Sequence, residues 1–497
     1  MKRHPDSISR RQFFRQSACA SLGISGLVNT LAHFQLVNRA LAQTAPPEDF
    51  KALVVFYQFG GNDSNNMLLP RIGHPQYANY KNARGILGIL DPNDSARLPA
   101  DPASLPLTTT SGNYAVHPNM PEIRDIFNAG DLAFVANVGT LAYPITRAEL
   151  VAGTKPIPPR LFSHSDQQLQ WQSSIADQPF TNGWGGRVAD LLHQPGSDAV
   201  SMSISIAGVN SLQVGNQVAQ YTVSPLGAIS LGGYGPNYSL ARNPDGSLYN
   251  TSTSGKRLKA FEDIMRYTHD NLLEDGYDEI IRRARASEGS IGNAITEAAG
   301  SSVAFDTLFG SGTAGLIGQL KMVAKLIAGR NSLGNSRQIY FVSFGGYDTH
   351  SSQLTAHANL MTEVSTSLSA FRQAMLQLGV NDKVLLMTHS DFARTLKPNG
   401  TDITSAGSDH GWGGHHIVMG GAVNGGKIYG TFPSLVTGAE QDSASAQGRW
   451  IPGTSVDQYA AVAAKWLGVE SSAMSAIFPN LSRFDDPFGG TANLAYV

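Results

Sequence analysis

The residue types that carry chemistry gather in four short segments, three of them glycine-rich. Gly60-Gly61-Asn62-Asp63-Ser64-Asn65-Asn66 holds one acid, and Gly345-Gly346-Tyr347-Asp348-Thr349-His350 holds Asp348 and His350. Thr388-His389-Ser390-Asp391-Phe392-Ala393-Arg394-Thr395 holds Asp391 and Arg394, and the stretch from Gly407 to His416 holds Asp409, His410, His415 and His416. Carboxylates and imidazoles together suit a borderline or hard divalent ion such as Zn²⁺, Mn²⁺ or Mg²⁺. Two such ions about 4 Å apart could clamp the attacking and leaving oxygens of an ester displacement. Taken singly, each segment also reads as a turn, because an Asp after Gly-Asn bonds its own backbone. Four of them at successive strand ends are harder to read as turns alone.

Short apolar runs rich in Val, Ile and Phe precede or follow these segments and read as buried strands: 52–59, 132–138, 200–206, 338–344, 383–388 and 416–420. Helical spacing lies between them. Its clearest case spans 353–378, with Leu354, His357, Leu360, Met361, Val364, Leu368, Phe371, Met375 and Leu378 three or four apart. Further helices are expected at 121–130, 184–192, 256–284, 314–328 and 456–467. Strands alternating with helices predict an α/β fold with a mostly parallel sheet covered on both faces. Ligands of such sheets bind outside the carboxyl ends of the strands. That edge would collect Asp63, Asp348, His350, Asp391 and His410 into one cleft. Residues 207–255 are rich in Gly, Asn, Ser and Tyr and show no sustained period, so an inserted loop or helical region is expected at about 207–330. Gly421 to Ile428 fits G-x-x-x-x-G-K, but Ile428 stands where a phosphate loop needs Ser or Thr, and a hairpin turn is the expected reading.

The first 42 residues differ in kind. Ser9-Arg10-Arg11-Gln12-Phe13-Phe14 reads as a twin-arginine export signal, followed by an apolar stretch and by Ala40-Leu41-Ala42, a small-residue cleavage site. Residues 1–42 are expected to leave as a signal peptide and 43–497 to form the mature domain, in the periplasm or secreted. The twin-arginine translocase is then the partner during export. The apolar stretch carries His33 and several polar residues, too weak for a stable membrane anchor. The 497-residue chain has 36 Lys+Arg and 38 Asp+Glu; loss of six bases and one acid with the signal leaves 30 against 37, a net of −7. That balance offers no footprint for nucleic acid. The only cysteine, Cys19, lies in the signal, which excludes a disulfide framework and a cysteine zinc site in the mature chain.

Together with His117-Pro118-Asn119-Met120 and Phe162-Ser163-His164-Ser165-Asp166-Gln167-Gln168, the four segments resemble the signatures of the DUF1501 family, a bacterial group within the alkaline phosphatase-like superfamily of phosphatases and sulfatases. The resemblance covers nearly all of the mature chain. It implies an alkaline phosphatase-like α/β/α sandwich and a metal site drawn from Asp63, Asp348, His350, Asp391 and His410. His415 and His416 rival His410 for the last position. Phe392 stands where the superfamily pattern has a histidine, so a full two-metal site lacks one ligand. The activity of the family is not settled, and no substrate is implied.

Ser165, just before an expected helix whose N–H groups would favour an anionic ester, is the candidate nucleophile; Ser163 or Ser165 could equally cap that helix. Ser64 is the runner-up. Arg394 could hold phosphate or sulfate oxygens through its fork or sit in an ion pair. His117 and His164 either line the cleft or are core histidines. Two functions follow: a periplasmic metal-dependent hydrolase of phosphate or sulfate esters on an unknown small-molecule or polymer substrate, or a degenerate, non-catalytic relative with a binding or envelope-assembly role.

Overall fold

The computed structural model describes residues 49–108, 112–193, 200–228, 231–234, 238–243, 247–264, 272–489 and 494–497. The expected signal peptide lies outside the described residues, as do 229–230, 235–237, 244–246 and 265–271 of the expected insertion.

The described strands are β1 (Lys51–Gln58), β2 (Leu68–Pro70), β3 (Leu105–Pro106), β4 (Tyr114–Val116), β5 (Leu132–Gly139), β6 (Ser203–Ser205), β7 (Tyr221–Ser224), β8 (Gly227–Ala228), β9 (Arg337–Phe344), β10 (Val384–Ser390), β11 (Gly414–Met419), β12 (Ile428–Gly430) and β13 (Thr454–Ser455). β2, β3 and β4 make a small antiparallel sheet, and the others a ten-stranded sheet in the order β12-β5-β11-β10-β1-β9-β6-β7-β8, with β13 also on β5. β1 lies at its centre, parallel to both β9 and β10.

The strand reads Lys-Ala-Leu-Val-Val-Phe-Tyr-Gln because both of its faces are buried. Ala52, Val54 and Phe56 point into one core with the helices Gly315–Ala328, Gln353–Gln377 and Pro121–Asn128. Leu53, Val55 and Tyr57 point into the other, with Trp184–Leu192 and Val456–Leu467. Helices on both faces of a mostly parallel sheet are what the alternating pattern predicts. Val456–Leu467 starts at a capping box in which Ser455 and Gln458 satisfy each other's backbone N–H groups.

Direction is where the structure departs from expectation. β11 runs antiparallel to both β10 and β5. The Gly421–Ile428 segment is not a hairpin turn, since β11 and β12 lie on opposite sides of β5 and the chain crosses the end of that strand. Residues 207–228 add β7 and β8 to the sheet, and among the described residues no helix is long and apolar enough to cross a membrane.

Candidate metal centre

Three parallel strands end at one edge and release Asp63 after β1, Asp348 and His350 after β9, and Asp391 after β10. The reversed β11 delivers the residues before it, including His410, to the same edge. β5 runs parallel to β1, and the chain beyond it reaches the helix His164–Ser173, whose first residue is His164. Gly60 and Gly61 make the crowding possible. Their φ angles are +116° and +85°; a Cβ on Gly60 would collide with the Asp348 backbone, and one on Gly61 would sit 2.5 Å from the Phe392 ring.

Asp348 is the hub. Its Oδ1 lies 3.1 Å from His350 Nε2 and 3.4 Å from His410 Nε2, and its Oδ2 lies 3.5 Å from His164 Nε2. The two nitrogens His350 Nε2 and His410 Nε2 are 2.9 Å apart. Candidate ligand atoms of His164, Asp348 and His410 all fall within 4.8 Å of one another.

Each imidazole is tied down through its other nitrogen. His164 Nδ1 lies 2.6 Å from Asp391 Oδ2, His350 Nδ1 lies 3.2 Å from Asp409 Oδ1, and His410 Nδ1 lies 2.8 Å from the Phe162 carbonyl. A carbonyl or an ionised carboxylate only accepts, so each Nδ1 carries the proton and donates. Three Nε2 lone pairs then face the Asp348 carboxylate, and those of His350 and His410 also face each other. Acceptors that close repel unless a cation lies among them. A four-coordinate ion with ligands at ~2.1 Å sets its donors roughly 3.4 Å apart, and the observed separations bracket that spacing. The grouping of His164, Asp348 and His410 fits a divalent ion, with His350 Nε2 beside the last two as a further candidate ligand.

The electrostatics follow the same contacts. The bond to Asp391 holds His164 above the ordinary imidazole range, while burial, with Arg394 and the neighbouring imidazoles, holds His410 below it. For Asp348, burial works to raise the carboxyl, but Arg394 and the adjacent histidines outweigh it and hold it low.

The other residues singled out in the sequence take different places. Asp391 is fully buried one step behind the cluster, and its Oδ2 also accepts from Gln168 Nε2 at 3.0 Å and from Gly60 N at 3.1 Å. It orients His164. Asp63 is fully buried and held by Arg84 and Gln353, so a guanidinium neutralises it; burial still lifts its carboxyl above the ordinary range. With both acids engaged in this way, the arrangement provides for one ion. Arg394 places Nη1 2.9 Å from Asp348 Oδ1 and buries the rest of its fork, with Nε and Nη2 unpartnered. It grips a candidate ligand, and solvent-borne anions do not reach it. Ser165 is exposed on the first helical turn, its hydroxyl 3.3 Å from Ser163 Oγ and 3.4 Å from Asp166 Oδ2. Ser64 is buried.

His117 and His357 are buried near Asp63, with rings 5.5 Å apart, and burial pushes both down to about 3. His415 stacks on Phe432 and His416 packs on Trp171, so neither rival joins the cluster. Phe392, in the place of the expected histidine, stacks on His410 at 4.4 Å and lies 4.8 Å from His164, walling the site with an apolar ring. The ligand position of His164 and the anchoring role of Asp409 escaped sequence reasoning. A histidine opening the second helix beyond the carboxyl end of β5, after the short helix Arg147–Ala152, was the available signal for the first.

Fold and site together define a mixed α/β protein with a histidine–carboxylate grouping at the carboxyl edge of its sheet. Residues 264–447 match the family model described as "Protein of unknown function (DUF1501)", so the resemblance carried by the Asp348, Asp391 and His410 segments holds. Two solved structures are similar at 10% identity, each comparison covering 88% of this chain and 78% of the other: Ps i-CgsB in complex with k-i-k-neocarrahexaose, at a TM-score of 0.30, and Ps i-CgsB alone, at 0.31. Likeness of that degree decides neither fold family nor activity. No curated protein matches the chain.

Proposed function

We propose that this chain is an exported, metal-dependent hydrolase of phosphate or sulfate esters, built on an alkaline phosphatase-like sandwich, with residues 43–497 as its mature domain and 207–330 as an insertion. The observation that carries the metal is the convergence of three Nδ1-anchored imidazoles on the half-exposed Asp348. Zn²⁺, Mn²⁺ and Mg²⁺ are the candidate ions. A divalent ion held there supplies Lewis acidity toward an ester oxygen and toward water.

The chain's own groups do the rest. His164, His350, His410 and Asp348 hold and orient; Arg394 keeps Asp348 ionised from below; Phe392 excludes water from one side. Asp409 holds His350 through Nδ1, on the side of the ring away from the ion. Water is the nucleophile in this reading, because the Ser165 hydroxyl has serine and aspartate neighbours and no imidazole among its hydrogen-bond partners.

Aryl phosphate and aryl sulfate turnover by the metal-loaded protein tests the reading. Turnover lost in His410→Ala and kept in Ser165→Ala supports it; turnover that needs Ser165 restores the serine nucleophile. The buried fork of Arg394 favours the second reading, a non-catalytic metal-binding protein. Bound metal without turnover of either ester class would select it. For export, changing Arg10 and Arg11 both to Lys should hold the precursor in the cytoplasm, and undiminished periplasmic protein would remove that part of the proposal.

A further inference from the structure

We propose that Phe162 is a positioning residue of the metal centre, its backbone held in a left-handed conformation so that its carbonyl fixes His410 with Nε2 inward. The inference rests on the metal-centre reading. Phe162 has φ +76°, a region that residues with a Cβ seldom adopt, and Arg160 two residues earlier has φ +52°. Such outliers persist only where the surroundings hold them, and they gather at functional sites. Here the surroundings are specific. The Arg449 guanidinium lies 4.6 Å over the Phe162 ring, and the ring packs against the buried cluster of Leu141, Trp412 and Ile451.

With the ring anchored, the carbonyl accepts from His410 Nδ1 at 2.8 Å, and two residues later the chain begins the helix that presents His164. One short segment therefore sets two of the four candidate ligands. Without that carbonyl, His410 is free to take the Nε2–H tautomer, which has no lone pair to offer the ion.

Replacing the side chain separates the carbonyl from the ring. Alanine loses the anchor and keeps the strain, so the backbone relaxes and the carbonyl leaves His410. Glycine loses the anchor but adopts positive φ at no steric cost. The experiment is Zn²⁺ binding by chelator competition, with ¹⁵N NMR of the histidine tautomers in the metal-free protein. Phe162→Ala should weaken Zn²⁺ binding roughly 10–100-fold, the usual range for outer-shell partners, and move His410 toward the Nε2–H tautomer. Phe162→Gly should stay within about threefold of wild type, with the Nδ1–H tautomer kept. A ring that merely plugs the surface predicts the reverse or no difference, and glycine binding no better than alanine overturns the proposal. Wild-type protein that takes up no Zn²⁺ removes the metal reading instead. His410 found as Nε2–H in metal-free wild type would overturn the positioning role by itself.

Discussion

Asp391→Asn separates a metal ligand from a residue that orients one. In the structure Asp391 Oδ2 receives three donors, His164 Nδ1 at 2.6 Å, Gln168 Nε2 at 3.0 Å and Gly60 N at 3.1 Å, and the side chain is fully buried. All three donors call for an oxygen, so the amide places its carbonyl there and its NH₂ where Oδ1 was. His164 keeps its tautomer but loses a charged acceptor. The short imidazole bond falls from the charge-assisted class, about 1.5–3 kcal/mol, to the neutral class, about 0.5–1.5 kcal/mol. The basicity of Nε2 falls with it. Outer-shell losses of this kind weaken metal binding 10–100-fold, or about 1.4–2.8 kcal/mol. The new NH₂ lies beside the buried, otherwise unpartnered Tyr57 hydroxyl, which can accept from it, so the fold should lose little stability. The assay is metal-buffered competition on the folded protein, paired with thermal unfolding of the metal-free form. One ion should still bind, more weakly and with unchanged stoichiometry. Affinity within threefold of wild type would refute the orienting role. Complete loss of the ion, as deep as in Asp348→Ala, would make Asp391 a direct ligand and refute the geometry described above.

Other perturbations follow from single contacts. Gly61→Ala forces a Cβ into the Phe392 ring at a φ of +85°; overpacking of about 1–3 kcal/mol plus about 1–2 kcal/mol of backbone strain should lower the melting temperature by several degrees and weaken metal binding through the displaced ring. A wild-type melting temperature would contradict the close packing. Asp457 lies in the first turn of Val456–Leu467, and burial, opposed by Ser174 and Arg187, raises its carboxyl to about 7. The folded chain therefore keeps a proton that the unfolded chain releases near 3.8, and stability falls as pH rises from about 4 to about 7, by up to about 4 kcal/mol. Asp457→Asn should remove that slope and be the more stable protein at neutral pH, with the advantage gone near pH 4. A difference between the two proteins that stays constant from pH 4 to 7.5 would contradict it.

Much of the fold was legible because burial on both faces writes itself into composition. The run 52–59 needed only a one-residue shift to become β1, and the 353–378 spacing matched the helix Gln353–Gln377. Strand direction left no such mark. The period of β11 is the same either way, and its reversal shows only in its register with β5 and β10. Within the site, Asp348, His350 and His410 were visible as acids and imidazoles at strand ends, and they meet. Asp63 and Asp391 share that signature but serve Arg84 and His164, because what an acid binds depends on which cation or donor the fold brings to it. Arg84, more than twenty residues from Asp63 and on another element, gives no local hint of that pairing. His164 stayed open between cleft and core for a related reason: a histidine opening a helix looks the same whether its ring turns to the core or to a carboxylate 184 residues away in the chain.

The most direct test is the metal content of protein purified without chelator, together with its loss on substitution. Wild-type protein should hold one divalent ion per chain, and His164→Ala, His350→Ala, His410→Ala and Asp348→Ala should each lower occupancy while Asp63→Asn leaves it intact in whatever fraction folds. A wild-type protein that binds no ion after incubation with Zn²⁺ or Mn²⁺, or one that binds two with Asp63 as a ligand, would contradict the centre described here.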